Sequence, residues 1–477
     1  MADPLTIPAR VGSHRPEGAE RIEVRNPFDG ALVGTVPAGT PQDVTRAISA
    51  AAAALDQPFP VHQRYEVLQR AADLVEARQD EYARTIANEG SKTIREARQE
   101  PVRAATVLRL AAEAARQQAG ETLPFDSRKG SENRVGYYFR FPVGIVGAIT
   151  PFNDPLAMAV HKIGPALAGG NAVVLKPASA TPFSALMLAA DLAAAGLPGG
   201  RLSVVTGSGA SIGEAIVTDR RVRLVSFTGG VETGERITRI AGLKKLSMEL
   251  GSNSPVIVMP DANLERAIPA IVSGAFAQAG QNCLGVQRVL IHEQIHEAFV
   301  ARLLARVATL RTGRSTDETT DVCPMIDERQ AIRLEGWINQ AAARGARVLM
   351  GGRRQGALLP PTVVTQIPDG VHLDCDEAYG PVVGLYAVAS LDEAIARANR
   401  VDYGLHAAIF TERIQDAFTA IKALHVGAVM VNDSTDYRLD MMPFGGTKMS
   451  GLGREGVRFA LDEMTEPRVV CFNLERA

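Results

Sequence analysis

The chain has 477 residues, and its 51 basic and 53 acidic side chains leave a formal charge of −2. Hydrophobic residues make up 46% of it, which is the composition of an ordinary globular chain long enough for two or three domains. The balanced charge, without a run of Lys or Arg, argues against nucleic acid and anionic membranes as main partners.

The cysteines and the apolar segments indicate the cellular compartment of the protein. Its four cysteines lie far apart and form no CxxC pair, so we expect neither a disulfide framework nor a metal site: they are Cys283, Cys323, Cys375 and Cys471. Residues 1–18 lack the apolar core of a secretory signal, and no apolar run reaches the about 18 residues that a membrane span needs. We therefore expect a cytoplasmic protein.

The predicted elements begin with helices and continue as alternating strands and helices. Apolar spacing within residues 41–120 predicts helices at Ala47–Leu55, Val67–Ile86 and Val102–Ala119. A first alternation follows, with strands at Val143–Ile149, Ala172–Leu175, Leu202–Val205 and Leu224–Phe227 and a helix at Pro182–Ala195. A second alternation covers Pro255–Met259, Leu264–Ala279, Arg329–Arg344, Arg347–Met350 and Leu385–Val388. This order predicts an α/β fold with two doubly wound, Rossmann-like units.

Two features stand at the ends of predicted strands. A glycine-rich turn, 228–234, lies between a strand and a helix, where backbone amides can meet a phosphate. Lys176 ends another strand at the carboxyl edge of the sheet, where ligands of open α/β sheets bind. Both features also fit structural roles, the glycines as ordinary turn residues and Lys176 as a solvated strand end.

Four side chains are candidates for chemistry. Cys283 follows an apolar helix in a loop with glycine and amide neighbours, although a buried cysteine is also a common small core residue. Glu249 lies in an apolar segment that is expected to raise its pKa, which suits a general base, but a buried ion pair fits as well. Asn153 follows the predicted strand Val143–Ile149, and Glu377 precedes the predicted strand Leu385–Val388. Either residue could equally be an ordinary turn residue.

The order of seven short motifs is more informative than any one of them. They are TPFN at 150–153, GNAVVLKP at 170–177, FTG at 227–229, MELG at 248–251, GQNC at 280–283, EAYGPV at 377–382 and PFGGTKMSGLGREG at 443–456. In this order they closely resemble the aldehyde dehydrogenase superfamily, from about residue 22 to the end of the chain. The resemblance implies oxidation of an aldehyde to a carboxylate with NAD or NADP.

The resemblance also implies a role for each candidate. Cys283 would attack the aldehyde, and hydride would leave the resulting tetrahedral adduct for the nicotinamide. The amide of Asn153 and the backbone N–H of Cys283 would stabilise the oxyanion, and Glu249 would activate the water that hydrolyses the thioester.

The cofactor, NAD or NADP, is assigned by the same resemblance to eight residues: Thr150, Phe152, Lys176, Ser179, Gly229, Gly234, Glu377 and Tyr379. Lys176 would contact the adenosine ribose, the two glycines the pyrophosphate, and Glu377 the nicotinamide ribose. Phe152 would also line the aldehyde pocket. Ser179 stands where NAD-preferring relatives often have Glu, so no carboxylate repels the 2′-phosphate of NADP.

Three residues are candidates for substrate recognition. The segment 432–438 resembles relatives that act on lactaldehyde and other small polar or acid-bearing aldehydes. We therefore expect a short hydrophilic aldehyde, with His161 or Arg438 near a hydroxyl or anionic group and Asp154 in the same pocket. Surface or interface roles fit His161 and Arg438 equally.

The resemblance implies a subunit of three parts. The NAD(P)-binding domain would comprise 1–120 and 142–250, the catalytic domain 251–440, and an oligomerisation β-extension 121–141 and 457–477. Strand character at Val135–Phe141 and Arg468–Phe472 would leave poor free edges, so we expect a homodimer or homotetramer.

Two other functions are compatible with the resemblance. One is a CoA-acylating semialdehyde dehydrogenase, in which a thiol replaces water as acyl acceptor, although such relatives usually lack the Glu found at 249. The other is a catalytically silent structural protein, as lens crystallins of this superfamily illustrate. The presence of Cys283, Glu249 and Asn153 argues against the latter.

Overall fold

The structure, a computed structural model, describes residues 20–474. Its strands are β1 (Arg21–Arg25), β2 (Leu32–Pro37), β3 (Thr122–Leu123), β4 (Arg134–Pro142), β5 (Ile145–Ile149), β6 (Ala172–Lys176), β7 (Leu202–Val204), β8 (Val222–Thr228), β9 (Lys245–Glu249), β10 (Ser254–Val258), β11 (Val286–His292), β12 (Arg347–Met350), β13 (Thr362–Thr365), β14 (Val382–Val388), β15 (Tyr403–Gly404), β16 (His406–Phe410), β17 (Ala428–Val431), β18 (Thr447–Lys448), β19 (Gly451–Leu452) and β20 (Thr465–Asn473).

Its helices are α1 (Pro41–Leu55), α2 (Val61–Ala77), α3 (Gln79–Glu89), α4 (Ile94–Ala97), α5 (Gln99–Gln117), α6 (Pro155–Ala168), α7 (Phe183–Ala194), α8 (Glu214–Thr218), α9 (Val231–Ile240), α10 (Leu264–Phe276), α11 (His296–Val307), α12 (Glu328–Ala343), α13 (His372–Cys375), α14 (Leu391–Asn399), α15 (Ile414–Ala423) and α16 (Val457–Glu463). The expectation that residues 1–18 contain no secretory signal concerns a segment outside the described residues.

The first sheet has six strands in the order β19-β9-β8-β5-β6-β7; β5 to β9 run parallel to one another, and β19 is antiparallel to β9. Because helices cover both of its faces, strands such as β5 and β6 are buried along their whole length. The chain adds β6 and β7 on one side of β5 and then β8 and β9 on the other. This reversal makes a topological switch point between β5 and β8, where open α/β sheets bind ligands.

The second sheet has seven strands in the order β12-β13-β14-β11-β10-β16-β17, and only β12 is antiparallel to its neighbour. It too has an apolar core on each face. The α/β fold with two doubly wound units is thus confirmed. The two sheets are joined directly by residues 250–253, which connect β9 to β10.

The third sheet is small and antiparallel, with the order β20-β4-β3. β20 pairs with β4 over its whole length, from Thr465 opposite Pro142 to Asn473 opposite Arg134. The helix before β20, α16, buries Val457 and Leu461 in the core of the first unit.

Two predicted helices end differently from the prediction. Val67–Ile86 is divided between α2 and α3, since the backbone of Arg78 (φ −110°, ψ 20°) interrupts the helix. The helix predicted to reach Ala279 ends at Phe276, because Gln278 and Ala279 have left-handed backbones (φ 55° and 53°). Such values are uncommon for residues other than glycine, and they turn the chain sharply just before Cys283.

Neither a membrane-spanning helix nor a cluster of metal-ligating side chains occurs within the described residues. No helix within residues 20–474 is both long and apolar enough to cross a membrane. In the same part of the chain, no group of three or more His, Cys, Asp or Glu side chains is arranged to hold a metal ion.

A buried arginine holds the connection between the two sheets in place. Arg288 on β11 is fully buried, and its guanidinium donates to Asn253 Oδ1 (2.6 Å) and to the Asn253 carbonyl (3.2 Å). It also donates to the carbonyls of Arg397 (2.9 Å) and Ala398 (3.1 Å) at the end of α14. Burial lowers the pKa of Arg288 to about 10, so the side chain remains charged at neutral pH.

Replacing Arg288 by Met is expected to destabilise the fold by about 3–5 kcal/mol, since buried acceptors at Asn253 and the end of α14 lose their donors. Urea unfolding followed by circular dichroism measures this change. Arg347→Met, on the exposed start of β12, is the control and should shift the free energy of unfolding by less than about 0.5 kcal/mol. Equal stability of the two variants would contradict the assigned role.

Candidate active site

One cavity of about 940 Å³ lies between the first two sheets. The first sheet contributes residues that follow β5, β8 and β9 at its carboxyl edge, among them Asn153, Gly229 and Glu249. The second sheet contributes residues that precede β11 and β14 at its amino edge, among them Cys283 and Glu377. The connection 250–253 therefore brings the ligand-binding edge of one sheet against the opposite edge of the other.

The loop that carries Cys283 is held by contacts on both sides of the cavity. Gly280 has φ +66°, and a Cβ there would lie 2.2 Å from the Gly380 carbonyl oxygen, so only glycine fits. The backbone N–H of Gln278 donates to Glu96 Oε1 (2.8 Å), and Gln281 Nε2 donates to Ser91 Oγ (2.8 Å). The loop is thus tied to the segment between α3 and α5.

Cys283 is half-buried and lines the cavity. Burial raises the pKa of its thiol, and the nearby charge of Glu377 raises it further. Arg438 acts in the opposite direction on the same thiol. Burial and the charge of Glu377 thus favour the neutral thiol, and Arg438 favours the thiolate.

Glu249 ends β9 with a carboxyl group that lacks partners. Both of its oxygens are buried and accept no hydrogen bond within residues 20–474. Burial raises its pKa well above the ordinary carboxylic value, and the nearby charge of Glu455 raises it further. A desolvated carboxyl group beside a thiol in one cavity has the properties of a general base.

Asn153 lies between the end of β5 and the start of α6 and is 7% exposed. It lines the same cavity as Cys283, and its side-chain amide makes no hydrogen bond within residues 20–474. A free amide donor in a desolvated cavity can stabilise negative charge that develops on a substrate oxygen.

The Asp154 carboxylate is occupied by side chains of the protein and is not available to bind a substrate. Its carboxylate forms an ion pair with Lys92, and Gln278 Nε2 donates to it at 3.2 Å. Burial opposes its charge, but the charges of Lys92 and Arg103 outweigh that effect and hold its pKa below the ordinary value. Lys92 also pairs with Glu100 at 2.7 Å. Asp154 therefore joins the Cys283 loop to the first unit, although it borders the cavity.

His161 lies outside the cavity wall and is 1% exposed. Its Nε2 is 3.0 Å from Asp440 Oδ1 and 3.3 Å from Arg103 Nη2. Burial and the charge of Arg438 lower its pKa to about 4, so it is neutral near pH 7. Its contacts place it behind Arg103, a cavity residue that also donates to Asp440 at 2.7 Å.

Arg438 lines the cavity, and its side chain is largely buried. Its guanidinium lies 3.7 Å from the centre of the Phe444 ring and 3.3 Å from Glu455 Oε2. Its Nε is buried and has no partner within residues 20–474. Glu455 also forms an ion pair with Lys162 Nζ (2.8 Å). Arg438 therefore keeps N–H groups that can donate to a ligand in the cavity.

The cofactor part of the cavity surrounds the turn after β8. Gly230 caps α9, and the position of its missing Cβ has no neighbour within 4 Å, which leaves room for a ligand at the helix N-terminus. The hydroxyl of Thr228 is buried without a partner within residues 20–474. Gly229 lines the cavity, whereas Gly234 lies inside α9, where a Cβ would be 2.6 Å from Leu250.

Glu377 and Tyr379 close this part of the cavity from the second sheet. Glu377 accepts a hydrogen bond from the Ser252 N–H (2.8 Å), and burial raises its pKa to about 7. Phe152 lies with its ring edge-on to Tyr379, at 5.9 Å between centroids. All three predicted residues line the cavity.

Lys176, Ser179 and Thr150 lie near the carboxyl ends of β5 and β6 but do not line the cavity. Burial lowers the pKa of Lys176 to about 8, and its Nζ donates to the Pro177 carbonyl (2.9 Å). Ser179 Oγ donates to the Gly207 carbonyl (2.9 Å), and Thr150 Oγ1 is buried without a partner within residues 20–474. These polar groups and the open N-terminus of α9 fit a dinucleotide that crosses the switch point.

The sequence did not predict that Lys92, Arg103 and Glu455 form ion pairs around the site. Lys92 follows α3, Arg103 lies on α5 and Glu455 in the glycine-rich segment before α16, far from one another in the chain. Helical spacing around Arg103 indicated only an amphipathic helix. A single charged residue in a helix or loop does not by itself predict a role at the cavity. Only the fold shows which charged residues lie there.

The amino-acid sequence is similar to those of a known enzyme family. The aldehyde dehydrogenase family matches residues 14–470. Aspartate-semialdehyde dehydrogenase 1 of Pseudomonas canavaninivorans is 48% identical over 95% of this chain and 97% of its own length. The 3-sulfolactaldehyde dehydrogenase of Priestia aryabhattai is 45% identical over 96% of each chain.

Among solved structures, the NADP-dependent glyceraldehyde-3-phosphate dehydrogenase of Bacillus halodurans C-125, complexed with NADP, is 37% identical. It superposes with a TM-score of 0.96 over 99% of this chain and 100% of that chain. The chain therefore belongs to the aldehyde dehydrogenase family and is an NAD(P)-dependent oxidoreductase.

Proposed function

We propose that the protein oxidises a small aldehyde that carries an anionic group to the corresponding carboxylate, with water as acyl acceptor. The observation that carries this proposal is the presence of Arg103 and Arg438 in one cavity with Cys283, Asn153 and Glu249. The substrates in the names of the three proteins compared above carry a carboxylate, a sulfonate and a phosphate, respectively. Guanidinium groups bind all three of these anions.

Cys283 forms the covalent bond to the substrate. Its thiol loses a proton to water, or to Glu249, which passes that proton on to solvent, and the sulfur attacks the carbonyl carbon to give a tetrahedral thiohemiacetal. Asn153 and the backbone N–H of Cys283 donate to the oxyanion; one such donor is commonly worth about 3 kcal/mol. When the hydride leaves, the carbon becomes a thioester on Cys283.

Glu249 then takes a proton from water, whose oxygen attacks the thioester carbon and releases the carboxylate and the thiol. A carboxyl group with an ordinary pKa is a weak base at neutral pH. Desolvation of Glu249 raises its affinity for a proton and so makes it the stronger base.

The residues around the switch point would hold NAD or NADP, which supplies the hydride acceptor. The amides at the start of α9 suit the pyrophosphate, Lys176 the adenosine ribose, and Glu377 a ribose hydroxyl on the nicotinamide side. Because Ser179 places no carboxylate near the ribose, we propose that both dinucleotides are accepted.

We also propose that the protein is a cytoplasmic homodimer or homotetramer. The apolar side chains Val135, Phe139, Val469 and Phe472 on β4 and β20 are 46–58% exposed in the single chain, and a partner would cover them. Within residues 20–474 all four cysteines are free, which suits a reducing compartment. The NAD(P)-binding, catalytic and oligomerisation parts correspond to the first, second and third sheets.

The first test separates water from CoA as acyl acceptor. Analysis of the product with and without CoA should give the free carboxylate in both cases, because Glu249 is available as a base for water. An acyl-CoA product that forms faster than the acid would assign the chain to the CoA-acylating type.

Replacing Cys283 by Ala is expected to lower the steady-state rate of NAD(P)H formation by about 10⁴-fold or more, because no other group can form the adduct. Cofactor binding should persist and can be followed by fluorescence of Trp337, the single tryptophan, which lines the cavity. Cys471→Ala, on the exposed face of β20, is the control and should retain activity. Substantial turnover by the Cys283 variant would overturn the mechanism.

Replacing Glu249 by Gln is expected to leave a burst of about one NAD(P)H per active site and to slow the following phase about 10²- to 10⁴-fold. In the wild type, that phase should accelerate as pH rises, because Glu249 must lose its proton, with an apparent pKa well above the ordinary carboxylic value. Stopped-flow absorbance across pH 5–9 measures both effects. Glu249→Asp should restore part of the rate; an unchanged pH profile in the Gln variant would exclude Glu249 as the base.

Replacing Arg438 by Met is expected to raise KM for 4-oxobutanoate about 10- to 100-fold and to change KM for the neutral aldehyde propanal much less, because only the former offers an anion. Arg438→Lys keeps the charge and should give an intermediate KM. Equal changes for the anionic and the neutral aldehyde would show that Arg438 supports the fold rather than the substrate.

A further inference from the structure

Asp436 is a carboxylate of the cavity wall that the proposed mechanism does not use. Among the other carboxylates of the wall, Glu100 and Asp154 pair with Lys92, and Asp376 pairs with His372. Glu96 accepts from the Gln278 N–H and Glu377 from the Ser252 N–H. Glu232 is exposed at the start of α9, and Glu249 is assigned as the base. Asp436 is partly buried and forms no salt bridge within residues 20–474. Its carboxylate accepts hydrogen bonds from the Ser434 hydroxyl and from its own backbone N–H, which leaves further acceptor positions of the two oxygens open.

The loop that carries Asp436 is packed against the nucleophile. Thr435 Oγ1 donates to the carbonyl of Leu284, the residue after Cys283, at 2.5 Å. The loop is closed by a hydrogen bond from the Tyr437 N–H to the Ser434 carbonyl (3.3 Å). The loop of Asp436 is therefore fixed to the segment that follows Cys283.

Asp436 and Arg438 present opposite charges to the same cavity from one loop. They are two residues apart, so their Cα atoms are separated by at most about 7 Å. Arg438 is already close to Glu455, whereas Asp436 has no cation of its own. Partial burial of Asp436 without an ion pair carries a desolvation cost that a ligand donor would offset.

We propose that Asp436 accepts a hydrogen bond from an ammonium or hydroxyl group on the carbon next to the anionic group of the substrate. This inference rests on the proposed function, in which Arg103 and Arg438 bind the anion. The cavity then selects aldehydes that carry a hydrogen-bond donor as well as an anion over aldehydes that carry the anion alone.

The test compares three aldehydes that differ at one carbon: 4-oxobutanoate, its 2-hydroxy derivative and its 2-amino derivative. The wild type is expected to show a kcat/KM about 10- to 100-fold higher for a donor-bearing aldehyde than for 4-oxobutanoate, which is the usual effect of a hydrogen bond to a charged group. Asp436→Ala should remove this ratio for both derivatives. Asp436→Asn should keep more of it for the hydroxyl than for the ammonium, since the amide oxygen accepts but carries no charge.

Asp433→Asn is the matched control, because Asp433 is exposed on the same loop and its removal changes the net charge equally. It should leave the ratio between the aldehydes unchanged. The inference is overturned if the wild type shows no preference among the three, or if Asp436→Ala lowers kcat/KM equally for all of them. If the wild type oxidises none of the three anionic aldehydes, the proposed function itself fails.

Discussion

The connection of β9 to β10 by residues 250–253 is the constraint on which the site depends. It sets the carboxyl edge of one parallel sheet against the amino edge of the other, so loops from both sheets enclose a single cavity. Enclosure removes water from Cys283 and Glu249 and raises the pKa of each group. Arg288 holds Asn253 within this connection, which links the packing of the second sheet to the chemistry of the first.

Charge pairing around the cavity determines which groups remain available. Arg103 is paired with Asp440, Lys92 with Glu100 and Asp154, and Glu455 with Lys162. Burial opposes the charge on Glu455, but Lys162 and Arg438 lower its pKa to about 2. Glu249 has no such partner, and burial together with the charge of Glu455 raises its pKa. Glu249 is thus prepared to exchange a proton, while Asp154, Asp440 and Glu455 keep their charges.

The sequence predicted the two α/β units because their strands are buried on both faces and bounded by turns, so the apolar runs are clear. It also brought Cys283, Glu249 and Asn153 together, through motifs that stand at strand ends or in a glycine-rich loop. It did not predict the ion pairs of Lys92 and Arg103, which depend on contacts over long sequence separation. His161 was expected at the substrate, but it lies behind Arg103, since one buried histidine in an apolar helix does not show which side chain it contacts.

In the proposed mechanism one thiol becomes acylated, and one carboxyl group releases the acyl group. To test it, Glu249→Gln is mixed with NAD(P) and 4-oxobutanoate and quenched with acid within one turnover, and the mass of each cysteine peptide is then measured. The mechanism predicts an acyl mass on the peptide that contains Cys283 and unmodified peptides for Cys323, Cys375 and Cys471. NAD(P)H formation without an acyl group on Cys283 would contradict it.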